Sequence, residues 1–236
     1  MANLYDTKVN GTIIVDTSIT SGCGFQNMVV LTTGTLATYT LPDVIKIPGA
    51  KFKVTIIGAG GGGSAASATG YINGSGSSGA LVIAIITVVE GLYSFIYTIG
   101  AGGTAGIASG EISAGAGGDT LVSYNSILYI AGGGDYGRPY TTTATGAFGG
   151  SASNGNGVLN ITGNPGNQWA VCNTNNVQII RGGYTPLGYG SGGGIPSNSG
   201  VGQSGTNYGS GGGAGAYRAA ASNGAAGQPG VIILEY

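Results

Sequence analysis

The chain has 236 residues, 52 of them Gly, with mean hydropathy +0.26 and 42% hydrophobic residues. That is enough apolar material for one large all-β domain or two small ones, and it argues against disorder, which needs low hydrophobicity and high net charge. Seven basic and eight acidic residues give a net charge of -1, too sparse a field to gather nucleic acid or an acidic membrane, and the lack of histidine excludes histidine-based catalysis and metal sites.

In chain order, Gly11–Val15, Asn27–Thr32 and Thr35–Leu41 alternate loosely and are rich in Thr, Val, Ile and Tyr, residues that suit a pleated, half-buried strand. Pro42 and Pro48-Gly49 punctuate the chain before Lys51–Ile57, a strand of period two. That strand runs directly into Gly58-Ala59-Gly60-Gly61-Gly62-Gly63. The same grammar recurs. Ala80–Val89 and Tyr93–Ile99 read as strands, and the second ends in Gly100-Ala101-Gly102-Gly103. Thr120–Tyr124 and Ile127–Ile130 follow, closed by Ala131-Gly132-Gly133-Gly134. From residue 135 strands are expected to be almost absent until Gly230–Tyr236, with glycine runs and tyrosine-bearing loops between. No stretch has a capped helical period. Ala214–Ala226 comes nearest, but Gly215 and Gly224 interrupt it, each costing about 1 kcal/mol inside a helix. The longest apolar run, Ala80–Val89, is too short to span a bilayer as a helix, so no membrane insertion is expected, and the N-terminus lacks a secretory pattern.

Glycine runs can be flexible tethers. The alternative is a polyproline-II-like helix, with three residues per turn and backbone groups that point outward. Several such helices can satisfy each other when packed side by side, and only glycine permits that approach. The expected fold is therefore all-β: a β-sandwich-like base with packed polyglycine-II segments and long loops, and essentially no α-helix.

At these residues the chain resembles the glycine-rich domain found at the ends of bacteriophage tail-fibre proteins and in some large-virus surface proteins. The matching features are Tyr39-Thr40-Leu41-Pro42 before Lys51–Gly63, and Glu90-Gly91-Leu92-Tyr93 before Tyr97–Gly103. They also include Gly117–Val122, Ala131–Gly134 and the closing Gly227–Tyr236. The resemblance covers about residues 38–236 and leaves residues 1–37 as a strand-containing attachment or assembly segment. It implies either a separately encoded tip adhesin or a subunit that assembles by itself. It further implies cytoplasmic synthesis in an infected cell, assembly into the virion, and recognition through exposed loops.

Gly58, Gly60 and Gly63 satisfy G-x-G-x-x-G after a strand, but Ser64–Ser78 is no helix and no acid lies between Asp43 and Glu90. No nucleotide cofactor is expected. Glu90, Glu111, Asp119 and Asp135 could supply a paired-carboxylate glycosidase, but such residues beside glycine more often serve turns, as Asp119 is expected to do before Thr120. The chain is read as a non-enzyme with neither cofactor nor metal. Cys23 and Cys172 match no metal spacing and read as free buried thiols, unless the fold brings them together as a disulfide.

The aromatic loops remain. Tyr136, Arg138 and Tyr140 cluster in one, and Trp169 lies in another beside several asparagines. Tyr184, Tyr189, Tyr208, Tyr217 and Arg218 fall in later ones. Tyrosine and tryptophan give rigid contact area with a polar tip, as in antibody loops. Singly, each tyrosine can equally serve as cover for the glycine backbone. As a set they suit a host-cell surface protein or glycan. The expected function is thus a receptor-binding adhesin at a viral fibre tip, associated with fibre or capsid proteins. The alternative is a structural subunit that self-assembles into an extracellular filament or decorates a capsid.

Overall fold

Alternating sequence becomes sheet, and glycine runs extend beyond the sheets from the ends of several strands, β5 (Lys51–Ile57) among them. The computed structural model describes residues 7–9, 12–14, 27–66, 72–109, 113–140, 148–154, 159–166, 181–188, 192–193, 200–216 and 221–236. Among them there is no α-helix. Strands β1 (Thr7–Val9) and β2 (Thr12–Ile14) form a two-stranded antiparallel pair. The first main sheet contains β3 (Met28–Leu31), β5 (Lys51–Ile57), β7 (Leu81–Thr87), β13 (Leu159–Ile161) and β14 (Val231–Glu235), in the order β13-β7-β5-β14-β3. The second contains β4 (Ala37–Thr40), β8 (Ser94–Thr98), β9 (Thr120–Tyr124), β10 (Ile127–Ala131) and β12 (Ala152–Asn154), in the order β12-β10-β9-β8-β4. Every pairing is antiparallel. The all-β base is a two-sheet sandwich.

Its core follows from the period of two. Phe52, Val54 and Ile56 of β5 face inward beside Val82, Ala84 and Ile86 of β7 and Ile232 and Leu234 of β14. Opposite them stand Phe95, Val122, Tyr124 and Tyr129, with Phe52 edge-on to Tyr124 at 5.9 Å. A smaller cluster of Ile57, Leu81 and Val231 occupies the first sheet's other face, next to the glycine segments.

Short strands do occur after residue 135. β12 and β13 are three-residue edge strands, and β11 (Pro139–Tyr140) pairs with β6 (Ile72–Asn73). These three short strands, β11 to β13, are all that the described residues hold before β14, in keeping with the expectation that strands almost vanish there. Ala152-Ser153-Asn154 carries no apolar alternation, because an edge strand of small and polar residues needs only backbone pairing.

Beyond the sandwich the glycine segments form an ordered bundle around residues 58–64. The N–H groups of Gly58, Gly61 and Ser64 donate to the carbonyls of Ala80, Ser77 and Gly74. Those of Ala59 and Gly62 donate to Gly118 and Gly115, and those of Gly60 and Gly63 to Gln228 and Ala225. Successive residues thus address three different neighbours and then repeat, the three-residue turn of a polyproline-II helix. Three parallel segments return the bonds: Gly103 and Gly106 donate to Gly60 and Gly63, Gly134 and Gly137 to Ala59 and Gly62, and Gly212 and Gly215 to Gly61 and Ser64. Six neighbours, three antiparallel and three parallel, therefore enclose one central strand of backbone. β-Carbons on Gly60, Gly61, Gly62 and Gly63 would lie 2.0, 2.0, 1.9 and 2.1 Å from carbonyl oxygens of Ser210, Asp135, Thr104 and Gly213. Lack of space, not a left-handed backbone, demands glycine here.

Candidate recognition surface

The bundle mounts side chains on backbone that is itself hydrogen-bonded on several sides. Residues 131–138 climb away from β10 toward the bundle's far end. The Gly137 N–H is anchored to Gly62 O at 2.9 Å, and Arg138 O accepts the Gly74 N–H at 3.2 Å. On this segment three side chains meet. Asp135 Oδ1 accepts the Tyr136 N–H at 2.9 Å, and Oδ2 stands 3.6 Å from Arg138 Nη2. The Arg138 guanidinium carbon lies 5.1 Å from the centre of the Tyr136 ring, a cation–π arrangement. Alongside, the Asp135 N–H donates to Phe148 O at 3.1 Å, and the Phe148 side chain is 76% exposed. Tyr136 and Arg138 thus pair a ring with a guanidinium that a carboxylate holds, and Phe148 exposes a second ring on the adjoining segment. Such a surface offers flat apolar area for a ring or apolar side chain, and charged groups for hydroxyls or amides.

The structure brings Tyr136 and Arg138 together, while Tyr184 and Tyr208 have other partners. Tyr184 is exposed, and its carbonyl accepts Asn164 Nδ2 at 2.8 Å. It precedes Thr185, which lies beside Gly209 where the bundle joins the sandwich. Tyr208 is half-buried against Ile57, Leu81 and Val231 and covers the first sheet. Tyr140 has its backbone in β11 opposite Ile72, and its side chain lies outside the described residues, as do Trp169, Tyr189, Tyr217 and Arg218. Cys23, Cys172 and Glu111 also lie outside them.

A sequence profile of the glycine-rich domain matches residues 31–236. The chain belongs to this family. No curated protein sequence matches the chain. The glycine-rich domain therefore comprises both the sandwich, from Leu31 in β3 onward, and the bundle.

Two carboxylates of the glycine-rich domain have structural partners that their sequence positions did not announce. Asp119 Oδ1 accepts the Gly133 N–H at 2.9 Å, tying together two segments of the bundle rather than serving a local turn. Asp135 is held by Tyr136 and Arg138 as above. Among the described residues no three potential metal-ligating side chains come together. Sequence reasoning missed Phe148 as a surface residue. Its only signal is position: a bulky aromatic directly before Gly149-Gly150, where backbone packing leaves a side chain no interior to enter.

Proposed function

We propose that this glycine-rich domain is a receptor-binding module of a viral fibre tip, contacting a host-cell surface protein or glycan through aromatic side chains mounted on the bundle. The observation that carries the reading is the Asp135–Tyr136–Arg138 group beside exposed Phe148, on backbone anchored to the central segment. Rigid aromatic contacts lose little conformational entropy on binding, which suits an adhesive surface. The resemblance to fibre-tip domains supports the same reading. The test is attachment of labelled protein to a panel of bacterial and eukaryotic cells. The expected result is binding to a subset of cells, weakened at least about tenfold by combined Tyr136→Ala, Arg138→Ala and Phe148→Ala, with thermal unfolding unchanged. Attachment that persists undiminished in the triple variant, or no attachment to any cell, defeats the reading.

The alternative, a structural subunit of a filament or capsid surface, draws on one feature: both sandwich sheets end in strands without an outer partner among the described residues, β3 and β13 in one and β4 and β12 in the other.

A further inference from the structure

The end of the sandwich furthest from the glycine bundle is built unlike the rest of the molecule. The chain crosses it in residues 41–50, between β4 and β5, and in the turn 88–93, between β7 and β8. Leu41 and Ile45 point inward and close the core. Val44 and Ile47 point outward, 64% and 59% exposed, and Val89 and Leu92 are exposed beside them.

These side chains stand on fixed backbone. The Leu41 N–H donates to Tyr93 O at 2.8 Å, the Gly49 N–H to Val88 O at 2.9 Å, and the Val88 N–H to Ala50 O at 2.8 Å. The Tyr124 hydroxyl accepts the Val89 N–H and donates to Leu92 O, both at 2.9 Å, pinning the turn from within. An apolar patch that is already rigid loses little entropy when covered.

Charge gathers at this end too. Asp43 pairs with Lys46 and Lys53 with Glu235, which leaves Lys51 and Glu90 without an ion pair among the described residues. Lys51 sits opposite Thr87 in the β5–β7 register, and Glu90 lies at the tip of the turn that follows β7. One unpaired lysine and one unpaired glutamate therefore stand on the same two segments, or next to them, as the exposed apolar side chains. Such a pair suits a twofold interface, because each charge then finds its opposite on the other copy, and the contact is made twice.

We infer that the sandwich end formed by residues 41–50 and 88–93 is an isologous interface between two copies of this chain, with Val44, Ile47, Val89 and Leu92 at its centre and Lys51 of each copy facing Glu90 of the other. A carrier protein of a single charge sign would fit this patch less well, since the patch offers both signs equally. The inference does not rest on the receptor reading, and the two assemble the molecule consistently: the interface lies at one end and the bundle leads to the other.

The test is the mass of the full chain in solution, measured by sedimentation or light scattering over a range of concentrations. The wild type is expected to be a dimer. Lys51→Glu or Glu90→Lys alone is expected to weaken it at least about tenfold, and the double reversal is expected to restore it. Val44→Ser with Ile47→Ser is expected to give a folded monomer whose unfolding midpoint no longer depends on protein concentration, since both side chains are exposed in the single chain. A wild type that stays monomeric at every concentration overturns the inference. So does a dimer that neither charge reversal nor the serine pair affects, which would place the interface elsewhere. Cell attachment is a separate readout, so failure of the dimer and failure of the receptor reading remain distinguishable.

Discussion

Two glycines separate the two physical reasons for that residue. Gly62 has no left-handed backbone, yet a β-carbon there would lie 1.9 Å from Thr104 O, far inside van der Waals contact with a carbonyl that belongs to another segment. Gly91 has φ +77° and nothing within 4 Å of where its β-carbon would be. Gly62→Ala must push apart two hydrogen-bonded backbones and is expected to cost about 3 kcal/mol or more, or to prevent folding. Gly91→Ala meets only the left-handed penalty and is expected to cost about 1–2 kcal/mol. Denaturant unfolding of the two variants decides the matter. Equal costs would mean that the bundle yields readily and that close packing is not what glycine provides.

Whether the glycine bundle is a structure or a tether shows in its amides. The amides of Gly60 to Gly63 each donate to a carbonyl of an enclosing segment and are buried. They are expected to exchange hydrogen with solvent as slowly as those of Val54 and Ile56 in β5, to within about an order of magnitude. Exchange at unprotected rates would reduce the bundle to a set of loose linkers. Much of this architecture was legible beforehand. Lys51–Ile57 carries its own period and is observed with those bounds, and Tyr93–Ile99 and Ala80–Val89 shorten only slightly to Ser94–Thr98 and Leu81–Thr87. The glycine runs left two readings open, flexible tether or close backbone approach, and the structure shows the second. What alternation cannot encode is partnership. Nothing in Lys51–Ile57 says that Val231–Glu235 will lie beside it, since any apolar face of period two can serve as neighbour. Side-chain destinations were hidden for the same reason. Tyr208 and Tyr136 look alike in sequence, but the first covers Ile57 and Leu81 while the second lies under Arg138. Asp119 looks like a turn residue and reaches instead to Gly133 on another segment. The candidate site was therefore half-visible, with Tyr136 and Arg138 foreseen as neighbours and Phe148 not.

For the whole molecule, the absence of histidine removes the usual side-chain titration near neutral pH, so the alkaline limb of stability falls to other groups. Burial raises the Tyr129 phenol above its ordinary 10.0, and burial, then the nearby Tyr236, raises that of Tyr39. The sign follows from which state holds the proton more tightly. Below about pH 10 these phenols are protonated in both folded and unfolded chains, and their contribution to stability is fully present. As pH rises past that value the unfolded chain releases its protons first, so the unfolded state gains. Stability then falls until the raised folded values are passed. Tyr129 packs in the sandwich core with Val122 and Tyr124, so ionisation there places charge among apolar side chains. Tyr129→Phe keeps the ring and removes the titrating group. It is expected to lessen the loss in unfolding free energy between about pH 8 and about pH 11, with Tyr39→Phe adding a smaller relief because that residue is only partly buried. Denaturant midpoints measured at the two pH values check this. An alkaline loss identical in the wild type and Tyr129→Phe would show that the Tyr129 phenol is not the group whose ionisation loosens the sandwich.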